Sequence, residues 1–388
     1  MTLAIAAAGL VTVPALVFAF ECVLGLRPLP SVQLQTEAEP PVIAVLVPAH
    51  DEAVGIGATL ADLRAHLRPQ DLLLVVADNC TDETAERARL EGARVAERHD
   101  LGHVGKGHAL AFGRAALAEE QPPVVIVVDA DCRVSAGGLQ RLALEVMISN
   151  SVVQAAYLIG SPANSDALVG ISSFAFRVRN VVRQRGLARL GAAPLLQGTG
   201  MAFPWSIFSA APLATEDIVE DLNLGISLLH QGHRIAWSEA TSVSSAPASR
   251  DATIEQRTRW EHGSIASALS NVTKLVRGAF RQRRHDMAVL ALDLIVPPLA
   301  LLVIVTGLSW SLAGILALAG GGVWPVAILS LGLAALTLAV VLAWVAEGRK
   351  LLPLTTLLQA PIYVVWKLPI YVRFLTGRQK TWVRTERK

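Results

Sequence analysis

Three long apolar runs constrain what this chain can fold into more than any other feature of its sequence. They cover residues 3–26, 289–318 and 323–346, and each contains at most one charged side chain. A helix of about 20 residues crosses the roughly 30 Å hydrocarbon layer of a bilayer, so each run is long enough to span it. The sequence therefore predicts a membrane anchor at residues 1–26 and a transmembrane hairpin at residues 287–346.

The charged residues around these runs predict an orientation. Arg349 and Lys350 follow the hairpin, and residues 376–388 form a basic tail. Basic segments stay on the cytoplasmic side of a membrane. Residues 351–375 contain prolines and basic residues, so we expect an interfacial or re-entrant segment, with a further crossing as the alternative. The central region is then cytoplasmic in an integral protein of the inner or plasma membrane.

The central region shows alternating strand and helix patterns after a Pro-rich linker at residues 27–41. Runs of Val, Ile and Leu that suit strands buried on both faces lie at 42–47, 72–77 and 124–128. Helical periodicity lies between them at 53–67, 82–90 and 107–118. This alternation predicts an α/β domain at residues 42–245 with a mostly parallel sheet. Ligand sites in such sheets lie at the carboxyl ends of the strands.

Acidic residues follow each of these strands. Glu52 follows the first strand, Asp78 the second, and Asp129 and Asp131 the third. Carboxylates that meet at one edge repel each other, and a divalent cation removes that conflict. The Asp-x-Asp pair offers two oxygen ligands on one turn, which suits Mg²⁺ or Mn²⁺ shared with a diphosphate. Taken one at a time, each acid has a simpler interpretation as a solvated loop residue.

Lys106 lies between two glycines at the start of the third predicted helix. A lysine and free backbone N–H groups at a helix N-terminus suit a phosphate. The simpler interpretation is a solvated lysine.

Two acidic pairs, Glu216-Asp217 and Glu220-Asp221, compete for the role of general base. Only the second pair begins a predicted helix, over residues 222–229 and ending near Gly232, where the helix dipole favours a carboxylate. An ionised Asp221 fixed there can accept a proton. The simpler interpretation is the ordinary preference for acids at helix N-termini.

Gln256, Arg259 and Trp260 share one face of a predicted helical segment at residues 246–286, because they are spaced at i, i+3 and i+4. Arginine can neutralise a leaving diphosphate, and tryptophan can stack on a sugar ring. The alternative is an amphipathic interfacial helix whose basic residues face lipid headgroups.

Composition excludes other classes of function. The net charge is only +2, so no broad basic face indicates a nucleic-acid partner. Cys22, Cys80 and Cys132 show no C-x-x-C spacing, and we expect reduced thiols.

The order of these motifs resembles that of the membrane-bound family-2 glycosyltransferases, which include cellulose, chitin and hyaluronan synthases and ceramide glucosyltransferases. The similarity covers about residues 42–263 and runs through Pro-Ala-x-x-Glu, Gly-Lys-Gly, Asp-x-Asp, Glu-Asp and Gln-x-x-Arg-Trp. It implies a cytoplasmic GT-A domain with transmembrane helices. It also implies inverting transfer from a nucleotide sugar, a UDP-sugar first, with Mg²⁺ or Mn²⁺ as cofactor.

The resemblance also implies roles for individual residues. Those expected to bind the nucleotide sugar are Ala49, Glu52, Asp78, Lys106 and Asp129. Those expected to hold the metal are Asp131 and Asp129. The expected catalytic residues are Asp221, as the base, and Glu220. Those expected to bind the acceptor and the leaving group are Gln256, Arg259, Trp260, Gly198, Thr199 and Gly200.

We therefore expect sugar transfer to a lipid-linked, glycolipid or polysaccharide acceptor in envelope or exopolysaccharide synthesis. A processive synthase is the alternative. Three spans with few polar residues, and Val219 where polymer synthases usually have Thr, favour single addition. An inactive membrane scaffold is disfavoured because Asp131, Asp221 and Arg259 are present. A nucleotidyltransferase would not explain the Gln-x-x-Arg-Trp motif. The bilayer is an expected partner, and a homo-oligomer is possible.

Overall fold

The computed structural model describes residues 1–30, 39–160, 166–246 and 250–377. The basic tail beyond residue 377 and most of the predicted linker, residues 31–38, lie outside the described residues. The described residues form two compact units. The sheet unit contains residues 29–30, 39–160 and 193–246, and the helical unit contains residues 1–28, 166–192 and 250–377.

The sheet unit is built around a sheet that has eight strands within the described residues. In chain order they are β1 (Ile43–Ala49), β2 (Leu72–Asp78), β3 (Arg94–Arg98), β4 (Val124–Val127), β5 (Cys132–Val134), β6 (Val152–Ile159), β7 (Met201–Pro204) and β8 (Ile235–Ser245). Across the sheet the order is β3-β2-β1-β4-β7-β6-β8-β5.

Most neighbouring strands of this sheet are parallel. Strand β1 pairs in parallel with β2 and β4, β2 with β3, and β6 with β8, while β7 runs antiparallel to both β4 and β6. Strands β1 and β4 are almost completely buried, as continuous apolar runs require when both faces of a sheet are covered. The predicted α/β domain with a mostly parallel sheet is confirmed.

The helices of the sheet unit follow the predicted alternation. They are α2 (Ile56–Ala65), α3 (Thr84–Leu90), α4 (Lys106–Ala116), α5 (Gly138–Ser149), α8 (Trp205–Phe208) and α9 (Glu220–His230). The loop before α3 binds the first turn of this helix. Asp82 Oδ1 accepts the Thr84 N–H at 2.9 Å, while the Thr81 N–H donates to Asp51. Asp82, two residues before the first residue of α3, therefore binds a backbone N–H that the helix itself leaves without a partner.

The helical unit contains the apolar runs. Its helices are α1 (Thr2–Leu24), α6 (Ala167–Arg177), α7 (Arg183–Arg189), α10 (Arg250–Gln282), α11 (His285–Leu294), α12 (Leu299–Leu318), α13 (Trp324–Ala343), α14 (Leu354–Leu357), α15 (Ala360–Trp366) and α16 (Leu368–Thr376). Two π-helical turns lie at Val178–Val182 and Trp344–Gly348.

Three helices of the described chain are long and apolar enough to cross a membrane, by length and composition: Thr2–Leu24, Leu299–Leu318 and Trp324–Gly348. The second begins later than the predicted hairpin, because Pro297 and Pro298 interrupt the apolar run and leave α11 as a separate helix. Residues 354–376 fold into the three short helices α14 to α16. Their expected interfacial position stays a prediction.

A buried charge cluster ties three elements of the helical unit together. Arg183 on α7 donates from Nε to Glu21 of α1 at 2.7 Å, and its Nη2 contacts Asp293 of α11. All three side chains are less than a tenth exposed. Charges removed from water in this way need partners, so the cluster fixes α1 against α7 and α11.

Candidate active site

Residues from four separate motifs meet at the carboxyl ends of β1 and β4. Lys106, the first residue of α4, donates to the Asp129 carboxylate and, at 2.8 Å, to the Gly198 carbonyl. A Cβ placed on Gly198 would lie 3.3 Å from Asp221 Oδ2 and 3.2 Å from Lys106 Nζ. The ammonium and the two carboxylates therefore border one small region of the sheet edge.

The loop before β7 is fixed against β4 by hydrogen bonds. The Gly200 N–H donates to Val127 O at 2.8 Å, and the Asp129 N–H donates to Thr199 Oγ1 at 3.1 Å. Gly198 and Gly200 adopt φ angles of +81° and +65°, which favour glycine, and Thr199 between them is buried. The family resemblance pointed to this loop, and the hydrogen bonds explain its Gly-Thr-Gly sequence.

Close packing accounts for the glycines beside Lys106. Gly105 has a φ of +119°, and a Cβ on Gly107 would lie 2.4 Å from Leu213 O. The chain before α9 therefore passes directly over the start of α4. Burial lowers the pKa of Lys106, but the carboxylates of Asp129, Glu220 and Asp221 together outweigh burial and raise it. The lysine stays a cation that can hold phosphate oxygens.

The Glu220-Asp221 pair begins α9, as the sequence predicts. Asp221 accepts the Leu222 N–H at 2.8 Å through Oδ1. Burial, followed by the charge of Asp221, raises the pKa of Glu220 to about 8. Asp217 is exposed in the preceding loop, where it accepts from Asn223 Nδ2 at 3.0 Å. The structure thus separates the two acidic pairs by position, while the base role of Asp221 stays a prediction.

Two groups in the described residues bring Asp and Cys ligand atoms within 4.8 Å of one another: Asp129 with Asp131 and Cys132, and Asp51 with Cys80 and Asp82. The carboxylates of the first group suit a hard divalent cation. Burial, then the charge of Asp129, raises the pKa of Cys132, so this thiol stays protonated. Asp129 and Asp131 therefore fit Mg²⁺ or Mn²⁺, which prefer oxygen ligands to sulfur.

The residues expected at the nucleoside lie at the ends of β1 and β2. Ala49 ends β1 and is buried, and the Glu52 N–H donates to Thr84 Oγ1 at 2.7 Å. Asp78 ends β2 and accepts from Arg98 Nη1 at 2.6 Å. Arg98 was not identified from the sequence, because it lies on β3, an edge strand in which three of the five residues are charged. A buried ion pair therefore holds the Asp78 carboxylate in place.

Comparison with known families decides what kind of protein this is. The model of "Glycosyltransferase like family 2" matches residues 40–263, more than half of the chain. The chain belongs to this glycosyltransferase family. The family and the enzyme class expected from the sequence are thus confirmed.

Two solved structures are compared with this glycosyltransferase, and the first of them shows a shared fold. A mannosyltransferase from Pyrobaculum calidifontis, in complex with GDP-Man and Mn²⁺, has a TM-score of 0.62 at 17% identity, covering 97% of this chain and 99% of that one. Glucosyl-3-phosphoglycerate synthase from Mycobacterium tuberculosis, in complex with Mn²⁺, UDP and phosphoglyceric acid, has a TM-score of 0.40 at 19% identity, covering 61% and 82%. A comparison with curated proteins found no match.

The Gln-x-x-Arg-Trp motif of this glycosyltransferase lies on α10, in the helical unit. Trp260 stacks on Phe176 of α6 with ring centroids 5.6 Å apart. The Arg257 guanidinium lies 4.7 Å from the centre of the Phe176 ring and 5.0 Å from that of the Trp260 ring. Arg257 Nε also donates to Ser172 Oγ at 3.1 Å. The sequence left Arg257 without a role, although its i, i+3 spacing to Trp260 is a usable signal. It holds the indole ring in place.

The residue after this motif joins α10 to the C-terminal helices. Glu261 accepts from Lys367 and, at 2.8 Å, from the Tyr371 hydroxyl. All three side chains are buried. The position of the Gln-x-x-Arg-Trp segment within the helical unit therefore depends on residues more than 100 positions away.

Proposed function

We propose that this glycosyltransferase moves a sugar, with inversion, from a nucleoside-diphosphate sugar to a lipid-linked acceptor at a membrane surface. The observation that carries the proposal is the meeting of Lys106, Asp129, Gly198 and Asp221 at one edge of the sheet. It puts a phosphate-binding cation, a metal-binding carboxylate and a second carboxylate within reach of one substrate.

Donor binding is assigned to the carboxyl ends of β1, β2 and β4. Ala49, Glu52 and Asp78 would hold the nucleoside, for which UDP is the first candidate. Lys106 would neutralise phosphate oxygens of the diphosphate. The raised pKa of Lys106 supports this role because the side chain stays charged.

Asp129 and Asp131 would hold a divalent cation, Mg²⁺ or Mn²⁺. When bound, such a cation stabilises negative charge on a departing diphosphate. The fit of the two carboxylates supports this assignment, as does the Mn²⁺ in the Pyrobaculum mannosyltransferase complex.

Asp221 would act as the general base. In the reaction the acceptor oxygen bonds to the anomeric carbon, the bond from that carbon to the diphosphate breaks, and the acceptor proton passes to Asp221. A base must be held rigidly, and Asp221 is held at the first turn of α9. Glu220 beside it, with its raised pKa, is protonated at neutral pH and leaves Asp221 as the charged member of the pair.

The helical unit supports a lipid-linked acceptor. It carries Gln256, Arg259 and Trp260 on α10, and the same unit contains the three candidate membrane spans. We assign acceptor and leaving-group binding to these three residues and place the sheet unit in the cytoplasm. Envelope or exopolysaccharide synthesis is the expected context.

The test is to incubate the full chain, reconstituted in lipid vesicles, with a panel of radiolabelled nucleotide sugars. We expect label from one donor to enter the lipid extract, and Asp221→Asn to prevent it. Label that enters a polymer chain, with none in the lipid fraction, would identify a processive synthase instead. An Asp221→Asn protein as active as the wild type would remove the proposed base.

A further inference from the structure

An apolar groove that the proposed function does not use lies between the end of α10 and α11. It has a volume of about 380 Å³, and its apolar lining includes Val272, Val276, Phe280, Ala291, Leu292 and Ile295. Phe280 is 82% exposed and Leu292 is 47% exposed. Large apolar side chains that line an open groove indicate a partner that is itself apolar.

The rim of this groove is strongly basic. Residues 274–286 contain five Lys or Arg side chains and one acid, Asp286. That acid pairs with Arg284 at 2.5 Å. Arg283, Arg284 and His285 line the groove, and Arg277 and Arg281 are both exposed on α10. Apolar lining with a cationic rim matches a molecule that has a hydrocarbon chain and a phosphate.

The groove is also continuous with a candidate membrane span. Ile295 lines the groove, and only the three residues 296–298 separate it from the start of α12 at Leu299. Helix α11 is held at the end of α1 through the Asp293–Arg183–Glu21 cluster. If α1 and α12 cross the bilayer, the groove opens where the membrane meets water.

We propose that the α10–α11 groove binds an anionic phospholipid of the bilayer, with an acyl chain along the apolar lining and the phosphate at Arg283. The inference rests on the membrane embedding in the proposed function. Basic side chains beside an apolar surface are the usual means of holding anionic headgroups. Since α10 also carries Gln256, Arg259 and Trp260, the lipid would anchor the helix that is assigned to the acceptor.

The test is photolabelling of the full chain in phosphatidylcholine vesicles. One sample contains a trace of phosphatidylglycerol with a diazirine in its acyl chain, and a second contains phosphatidylcholine with the same acyl chain. Labelled residues are mapped by mass spectrometry. We expect the phosphatidylglycerol probe to label residues 272–295 more strongly than the phosphatidylcholine probe, while both probes label α12 and α13 equally.

Three variants test the chemistry of the groove. Arg283→Gln should lower phosphatidylglycerol labelling of the groove about fivefold, the size expected for one cation at an anionic surface, and Arg281→Gln should act in the same direction. Ala288→Trp, which fills the groove, should lower labelling by both probes. The matched control is Arg234→Gln, an exposed position in the sheet unit, which should change nothing. Unchanged labelling of α12 and α13 shows that each variant is folded.

Several results would overturn the inference. Equal groove labelling by both probes, unaffected by Arg283→Gln, would remove the anionic lipid. Competition by a short-chain prenyl phosphate, but not by phosphatidylglycerol, would assign the groove to the acceptor instead. Label in α12 and α13 with none in the groove would overturn this inference alone. Absence of label from those helices as well would overturn membrane embedding and this inference together.

Discussion

Two clusters in the sheet unit have the same composition, two aspartates and one cysteine, and the same close spacing of ligand atoms. One lies between the loops after β1 and β2 (Asp51, Cys80, Asp82), and the other directly follows β4 (Asp129, Asp131, Cys132). Composition and spacing alone would make both of them metal sites. Their surroundings differ.

In the first cluster, backbone N–H groups donate hydrogen bonds to the carboxylate oxygens. Asp51 Oδ1 accepts from Thr81 N at 2.6 Å, and Asp82 accepts from Ala53 N at 3.1 Å and from Thr84 N at 2.9 Å. These bonds tie two loops to each other and cap α3. The first cluster is therefore a structural element of the loops.

In the second cluster, the Asp129 carboxylate contacts a charged side chain from another element. Asp129 contacts the Lys106 ammonium, and Asp221 lies beside the same Gly198 loop. The comparison shows that a site is defined by what the oxygens contact, because a carboxylate that closes a loop has less capacity left for a ligand.

The largest effect should come from removing the metal of the second cluster. Chelation with EDTA should abolish transfer, and Mn²⁺ or Mg²⁺ should restore it. Asp131→Asn should lose about 10²–10³-fold in rate, the usual loss when a group that stabilises transition-state charge is removed. The measurement is transfer of radiolabelled sugar into lipid.

Asp82→Asn is the matched control in the first cluster, and its rate should stay within a few-fold of wild type. Full activity in excess chelator would remove the metal role of Asp129 and Asp131. Equal losses in Asp82→Asn and Asp131→Asn would break the distinction between the two clusters.

The next largest effect should come from Asp221, which lies with Lys106 beside Gly198. Asp221→Asn keeps the shape and the Leu222 hydrogen bond but cannot take a proton, so it should lose about 10²-fold or more in rate. Donor affinity, measured by equilibrium binding of the nucleotide sugar, should stay within a few-fold. Asp217→Asn, in the exposed loop, should keep near-normal activity.

An inactive Asp217→Asn with an active Asp221→Asn would show that the base has been misplaced. A loss of donor binding in Asp221→Asn would assign that residue to the donor site.

A mutation in the first cluster should lower the free energy of unfolding more than it lowers the rate of transfer. Asn keeps one acceptor oxygen, so Asp82→Asn can still bind the Thr84 N–H but loses the bond from the Ala53 N–H, which should cost about 0.5–1.5 kcal/mol in the free energy of unfolding. Thermal unfolding in detergent with EDTA measures it, and Asp217→Asn serves as the exposed control. An Asp82→Asn protein of normal stability and reduced metal affinity would reverse the roles of the clusters.

The sequence predicted the parts of the fold whose signal is local. Strands β1, β2 and β4 are continuous apolar runs, and the starts of α4 and α9 follow from Lys106 between glycines and from an acidic pair. Strand β3 was missed because three of its five residues are charged, and Arg98, the partner of Asp78, was missed with it. The partner of Glu261 could not be found, since Lys367 is 106 positions away.

The same limit applies to the candidate site. The order of the motifs indicated the family, and the position of the acids after strand ends predicted that these side chains lie close together. The resemblance assigned the metal to Asp131 and gave Asp82 no role in the site, but it did not show that Asp82 accepts hydrogen bonds from backbone N–H groups of the neighbouring loops. Those hydrogen bonds depend on backbone N–H groups whose directions are set by the folded loops.

The smallest effect should be the pH dependence that Glu220 gives to stability. Its pKa is raised to about 8 in the folded chain, against about 4.3 when unfolded. Because the folded state holds the proton more tightly, this contribution is fully present below the unfolded pKa and is lost as the pH rises through 8. Glu220→Gln cannot ionise, so in EDTA it should melt at a higher temperature than wild type at pH 9 and at the same temperature as wild type at pH 4. The matched control is Glu216→Gln, at an exposed position, which should follow the wild type at both pH values. The melting temperatures of Glu220→Gln and wild type could differ by the same amount at pH 4 and at pH 9. That result would show that Glu220 does not gain a negative charge beside Asp221 in this pH range. The contrast between the two clusters would then rest on hydrogen bonding alone.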